Sequence, residues 1–433
     1  MVMAQVKRCA IEAEDWLRYH PVVRGVLSRY QVLRDGLGQP RNTPALVRSI
    51  VKLCGAARLA STDDAVAAIQ RRIHERLALL DAKQVDWSPL VAHLDHPKIG
   101  RGLLLKPWVG PREKGVLFIS FEKEWFKLLR YCDLKEFSQR YDLVLAPSSS
   151  PHNFMNYVFA AAYPGPLFTL ISNAQDQVVL PRVAPNFVVV SLYASHWVNP
   201  ALFTPRPRAE RDIDLVMIAS FGKVKRHHAL FTALRRMPAS TRILLVGQDQ
   251  DDRNAATIEA EARYYGVAGR FAVQSNVPYA GVAAALSRAR VSLVLSRREG
   301  SCVVVTESMF ADTPVALLEN AEIGSRAFIN PATGRFLKDQ NLAGQLLDFL
   351  AQAEDFAPRA WAAQHIGCRQ STQTLNGLLR QHALARGDDW TMDIAPLCWR
   401  PDPELVEPTD VQRLQPERAA VRQRFGVEVG PWA

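Results

Sequence analysis

The chain has 433 residues, more than one compact core usually organises at roughly 100 to 200 residues per domain, so a single-domain architecture is set aside. Its 48% hydrophobic and 22% charged residues supply ample core material and exclude a mainly disordered or low-complexity protein. The 53 Lys and Arg against 43 Asp and Glu leave a net charge of +10, which favours polyanionic partners without naming one.

Residues 1–96 read as a helical extension. Val22, Val26 and Leu27, then Val66, Ile69, Ile73, Leu77 and Leu80, recur at three- and four-residue spacing. The arginines of this stretch, among them Arg18, Arg24, Arg29 and Arg34, suit either a solvated helix face or an anionic membrane surface. Its first residues mix Lys7, Arg8, Glu12, Glu14 and Asp15 with apolar side chains and lack the apolar run of a secretory leader. A cytoplasmic, reducing location is therefore expected, with peripheral membrane association as an option.

Over 97–205 the pattern changes to short apolar runs at 103–105, 116–121, 143–146, 167–171 and 187–191, divided by helical or polar segments. Such runs read as buried strands of parallel βαβ units. The most apolar stretch, 156–171, is interrupted by Pro164, Gly165 and Pro166, so no membrane span is expected. Pro200, Pro205 and Pro207 mark 199–211 as a linker.

Residues 206–385 carry a second and more regular series. Strands are expected at 215–218, 243–246, 271–273, 291–295 and 315–318, alternating with helices at 227–237, 255–266, 280–288 and 304–311. Unbroken alternation predicts a doubly wound open sheet, whose ligands bind beyond the carboxyl ends of the strands. The loops to inspect are thus 220–226, 247–252 and 296–302. Residues 386–433, with Trp390, Trp399 and Pro396, read as a tail that packs back on the N-terminal domain. The six cysteines show no C-x-x-C pair and no His at ligand spacing, so neither a zinc site nor a disulfide framework is expected.

The sharpest chemical feature is the run Glu299-Gly300-Ser301-Cys302-Val303-Val304-Val305-Thr306-Glu307. A strand delivers Glu299 and Gly300 into a crevice loop, and a helix is expected to start near Cys302. Unpaired N–H groups and the positive dipole end of such a start suit a diphosphate. Glu307, within the first two turns, has the acceptors for vicinal hydroxyls such as those of a ribose, and Glu299 has them for sugar hydroxyls. In the first loop Lys223, Lys225 and Arg226 cluster beside Gly222 before a helix, a placement that opposes the helix dipole unless an anion is bound.

This run, with the Asp312-Thr313-Pro314-Val315 exit that follows it, resembles the E-x7-E region of the retaining group 1 (GT4-like) glycosyltransferases of the GT-B fold. Asn276-Val277-Pro278-Tyr279, Leu244-Leu245-Val246-Gly247 and Thr333-Gly334-Arg335-Phe336 extend the resemblance in register from 213 to about 350. It implies two facing Rossmann-like parallel-sheet domains behind the helical extension, and transfer of a sugar from a nucleotide-diphosphate sugar to a hydroxyl acceptor in glycan or polysaccharide synthesis. Glu299 and Lys225 are the implied catalytic residues, joined by His152, which lies near the position of a family histidine that touches the donor sugar. Ser220, Gly222, Lys223, Arg226, Val277, Gly300, Ser301, Cys302 and Glu307 are the implied donor contacts. Lys225 falls on the family's diphosphate lysine, whereas Ser220 replaces its companion arginine, with Lys223 and Arg226 as substitutes. Ser301, Cys302 and Asp312 are further departures, which bear on sugar identity.

No cofactor and no metal are expected, because D-x-D is missing from the donor crevice and the cations can take that part. The expected partners are the nucleotide-sugar and a glycan, lipid-linked or small-molecule acceptor; nucleic acid is not expected, since no aromatic-basic motif accompanies the dispersed arginines. The alternative reading is a non-catalytic nucleotide-sugar-binding scaffold on the same fold.

Overall fold

The structure is a computed structural model describing residues 2–36, 42–400 and 402–430. Residues 37–41, 401 and 431–433, which belong to the expected helical extension and tail, lie outside the described residues. The chain divides into two compact units, each assembled from two stretches of sequence. Unit 1 comprises Met1–Tyr19 and Ser195–Cys368, and unit 2 comprises His20–Ala194 and Arg369–Ala433.

The strands are, in chain order, β1 (Lys98–Lys106), β2 (Gly115–Ser120), β3 (Tyr141–Ala146), β4 (Leu167–Leu170), β5 (Phe187–Val190), β6 (Ile213–Ile218), β7 (Ile243–Gly247), β8 (Ala272–Ser275), β9 (Ala289–Val294), β10 (Val315–Leu318), β11 (Gly334–Leu337), β12 (Leu397–Arg400), β13 (Asp402–Leu405) and β14 (Glu428–Gly430). Unit 1 contains a sheet in the order β11-β10-β9-β6-β7-β8, parallel throughout. This is the doubly wound sheet expected from the second series. Its inner strands are mostly buried and rich in Val, Ile and Leu, as strands covered on both faces are, while the edge strand β8 is largely exposed. The chain starts at β6, moves to β7 and β8 on one side, and returns to β9 on the other. That reversal opens a crevice at the carboxyl ends of β6 and β9.

Unit 2 contains a second six-stranded sheet, in the order β14-β1-β2-β3-β4-β5. From β2 to β5 it is parallel, in agreement with the predicted βαβ units. Its beginning differs: β1 runs antiparallel to β2. The connector 107–114 is shorter than the dozen or so residues that a parallel crossover needs, so these two runs pair as neighbours without an intervening helix. The tail supplies β14, which adds in parallel to the other side of β1. Trp399 packs edge-on against Phe118, and Lys106 lies over the Trp390 ring at 3.9 Å, so both tryptophans act as ties within unit 2. This tie begins at Arg369, ahead of the boundary expected at 386.

The helical extension also departs from a single block. Helix α1 (Val2–Tyr19) belongs to unit 1, whereas α2 (Pro21–Gly36), α3 (Thr43–Leu59) and α4 (Asp63–Leu77) belong to unit 2. The break falls at His20–Pro21, where proline at the first position of α2 cannot continue a preceding helix. Among the described residues no helix is long and apolar enough to cross a membrane.

Candidate functional site

The crevice loops of unit 1 are shaped by close backbone packing. Gly247 ends β7 where a Cβ would lie 2.5 Å from the Ala219 carbonyl, so only glycine lets the loop after β6 pass. Beyond it, Ser220 Oγ donates to Gln250 Oε1 at 2.5 Å. The position that carries an arginine in the resembling family is thus occupied by a short hydroxyl bound to a neighbouring loop. Residues Lys223–Lys225 form one 3-10 turn that closes on Arg226 in the left-handed conformation, φ 57° and ψ 44°.

The three cations of this turn take different directions. Lys225 Nζ lies 2.7 Å from Glu299 Oε2, and both side chains keep a fifth or less of their surface exposed. Burial works to lower the Lys225 ammonium, but the adjacent Glu299 carboxylate prevails and the net shift is upward. Lys223 is exposed and pairs with Glu14 of α1 at 2.9 Å. Arg226, expected to contact phosphate, is 4% exposed, and its Nε and Nη1 are bound to protein. It donates to both oxygens of Asp15, to Asp339 Oδ1 at 3.0 Å and to the Leu295 carbonyl. A side chain so occupied anchors the loop.

The Glu299 loop is held from its other side. Glu299 N donates to the Glu322 carbonyl, Gly324 N to that of Gly300, and Ser325 N to that of Ser301. Ser325 Oγ donates to the Cys302 carbonyl at 3.2 Å. Cys302 takes φ 54°, a left-handed turn that delays the helix, so that it runs Val304–Phe310 instead of starting near 302. No side chain caps this start. Burial, assisted by the Glu299 charge, pushes the Cys302 thiol well up, so it remains protonated. Ser301 is committed to the protein: its Oγ accepts from Ser195 N at 2.7 Å and donates to Ser195 Oγ at 2.8 Å.

Glu307 is 7% exposed in the first turn of the helix, and its Oε1 accepts from Tyr279 Oη at 2.8 Å. Burial raises its carboxyl to about 7, with the Tyr279 hydrogen bond opposing the rise. Phe203 packs edge-on against Tyr279 and restrains its ring. Val277 follows Asn276, a left-handed residue whose N–H donates to Gly247 O at 2.8 Å, which draws the segment toward the end of β7.

Unit 1 therefore brings together Lys225, Glu299 and Cys302, with Gly300 in the same loop, and places Glu307 on the helix that follows. His152 lies in unit 2, where it is 8% exposed and its Nδ1 is 3.1 Å from Tyr157 Oη. A few residues before it, Ser148 N, Ser148 Oγ and Ser149 N donate to the Glu122 carboxylate, fixing the loop after β3. Sequence reasoning missed Gln250, Asp339 and Asp15. None stands at a fixed spacing from the motif, and folding alone brings them to it.

Two parallel-sheet units, with charged loops at the carboxyl edge of one, define a GT-B glycosyltransferase fold. A solved structure has a similar fold: the sucrose-phosphate synthase (tll1590) from Thermosynechococcus elongatus is 17% identical, with 76% of this chain and 82% of that chain covered at a TM-score of 0.51. The Anabaena protein Alr3699/HepE, solved in complex with UDP, is 14% identical over 61% of this chain and 78% of its own at a TM-score of 0.48. Residues 199–357 match the family described as glycosyl transferases group 1. No curated protein matches the chain in sequence.

Proposed function

We propose that the protein is a retaining glycosyltransferase that moves a sugar from a nucleoside-diphosphate sugar to a hydroxyl acceptor in glycan synthesis, from a peripheral or cytoplasmic location. The observation that carries this reading is the 2.7 Å pair of Lys225 and Glu299 at the carboxyl edge of a sheet within the matched family region. In the resting site the two charges neutralise each other. An incoming diphosphate competes for Lys225, and its release leaves Glu299 open to accept hydrogen bonds from sugar hydroxyls. Glu307 has one oxygen on Tyr279 and the other for the ribose diol.

The transfer breaks the bond from the anomeric carbon to the phosphate oxygen and forms the bond to the acceptor oxygen on the same face. The acceptor proton passes to the departing diphosphate. Lys225 and the backbone after Gly300 stabilise the charge that develops on that leaving group, which is the principal demand of the reaction. No metal takes part in this scheme, so turnover persists in excess EDTA; its loss, with restoration by a divalent cation, refutes that element.

A non-catalytic scaffold is the second reading, favoured by Ser220, whose hydroxyl is bound to Gln250 where the family has a cation. A panel of nucleoside-diphosphate sugars tested by calorimetry, then by mass spectrometry for transfer and slow donor hydrolysis, separates the two. Binding with neither reaction establishes the scaffold; absence of binding to every donor removes both readings.

A further inference from the structure

Helix α1 precedes the matched family region by about 180 residues, yet it belongs to unit 1. It has no fully buried residue. Ala4, Arg8, Ile11, Asp15 and Tyr19, three or four positions apart, form its half-buried face, which packs against the helix Ala255–Tyr265. Apolar burial therefore supplies little of its attachment, and polar contacts over its last two turns add to it. Tyr19 lies under the Arg297 guanidinium at 5.5 Å. Glu14 meets Lys223, and Asp15 meets Arg226 at 3.1 Å and His228 at 3.7 Å.

The two acidic contacts differ in kind. Glu14 and Lys223 remain 45% and 53% exposed, so water screens their attraction and the pair contributes little. Asp15 and Arg226 are 11% and 4% exposed. Removing Asp15 leaves the buried Arg226 with Asp339 as its remaining carboxylate, a loss of compensation that is unfavourable in a site so enclosed. Burial alone raises the Asp15 carboxyl, but His228 and Arg226 outweigh it and hold the group ionised.

Arg226 is also the residue that turns the loop. A non-glycine side chain in the left-handed region is intrinsically disfavoured, and it persists where its surroundings fix it. Asp15, Asp339 and the Leu295 carbonyl are those surroundings. The turn ends the segment that carries Lys225 and so sets the direction from which its ammonium meets Glu299.

We propose that Asp15 is a positioning residue of the donor site: through Arg226 it locks the left-handed turn that aims Lys225 at the donor diphosphate, making the N-terminal helix an integral part of that site. The inference rests on the proposed transferase reading. Two negative charges so near a phosphate site also repel the donor, which would give removal of Asp15 the opposite effect. The buried pairing decides the sign, because the loop loses its geometry when Arg226 loses a partner, whereas the exposed Glu14 contributes only a screened repulsion.

The experiment uses the full chain and the donor found in the screen, with kcat and KM expressed per folded molecule and the folded fraction read by circular dichroism. Asp15→Asn lowers kcat/KM for the donor about 10- to 100-fold, in line with losing one member of a buried charge pair. Arg226→Lys, which keeps the charge and loses the fork, falls in the same range. Asp15→Glu recovers part of the loss, and Glu14→Gln changes kcat/KM less than about threefold. Because Asp15 acts through Lys225, the double variant Asp15→Asn/Lys225→Ala is no worse than Lys225→Ala alone. Equal activity of Asp15→Asn and wild type, tighter donor binding by Asp15→Asn, or additive losses in the double variant each overturn the inference while leaving the transferase reading standing. A wild-type protein that binds no donor overturns that reading and this inference with it.

Discussion

The two units handle charge differently, unit 2 at the amino edge of its parallel strands and unit 1 beyond the carboxyl ends of its own. In unit 2, Lys106 at the end of β1 is fully buried and meets Glu113 at 2.8 Å, with the Trp390 ring over the ammonium and Thr391 donating to the carboxylate. Burial raises the Glu113 carboxyl, but Lys106 and Thr391 more than reverse this and bring it to about 2. In unit 1, Lys225 and Glu299 lie just as close yet remain 20% and 15% exposed. A completed, enclosed pair serves structure. A pair that water still reaches can exchange one partner for a ligand, because the cost of parting the charges is much smaller where solvent shares it.

The widest separation of these behaviours comes from removing one charge of each pair. Glu299→Ala and Lys225→Ala lower transfer by at least roughly 100-fold, since each removes a charge that acts on the leaving group or the sugar. Their thermal unfolding temperature stays close to that of the wild type. A steady-state assay beside a melting curve checks both halves, and full turnover by either variant sinks the assignment.

Lys106→Ala has the opposite profile. It leaves Glu113 buried without its cation and destabilises the chain by about 3–5 kcal/mol in chemical denaturation. Donor affinity of the molecules that remain folded is unaltered. Loss of donor affinity with stability intact would erase the contrast between the units.

A finer effect concerns Glu307, enclosed like a structural residue yet placed in the site. Its carboxyl is protonated below about 7 and ionised above, so donor affinity measured by calorimetry rises as pH climbs through that value. In the ligand-free protein the sign is reversed. A carboxyl raised from 4.5 contributes stability that is complete below 4.5 and lost as pH rises through about 7. Glu307→Gln flattens both profiles. Tyr279→Phe removes a hydrogen bond to the ionised form and moves both midpoints upward by roughly half to one pH unit. Unshifted midpoints would show that Tyr279 does not govern this carboxylate.

Much of unit 1 was legible in the sequence. Val291-Ser292-Leu293-Val294 is apolar enough to be a buried strand, and the residues after it end in Glu299-Gly300, so strand, loop and helix follow from local pattern. The antiparallel pairing of β1 with β2 was not, because an isolated apolar run does not state which neighbour it pairs with. Arg226 shows the same limit at the site. As a basic residue in a crevice loop it is indistinguishable from Lys225 in the sequence, and only the arrival of Asp15 and Asp339 consumes its charge.

By itself the sequence determined the doubly wound series, the Glu299–Glu307 run and the basic loop that carries Lys225, since these depend on residues within a few turns of one another. The tertiary structure alone decided which cations remain exchangeable, which carboxylate is lifted by burial, and that a helix at the start of the chain and a strand near its end complete different units. Those outcomes depend on solvent access and on partners more than 200 residues away, for which local spacing contains no signal.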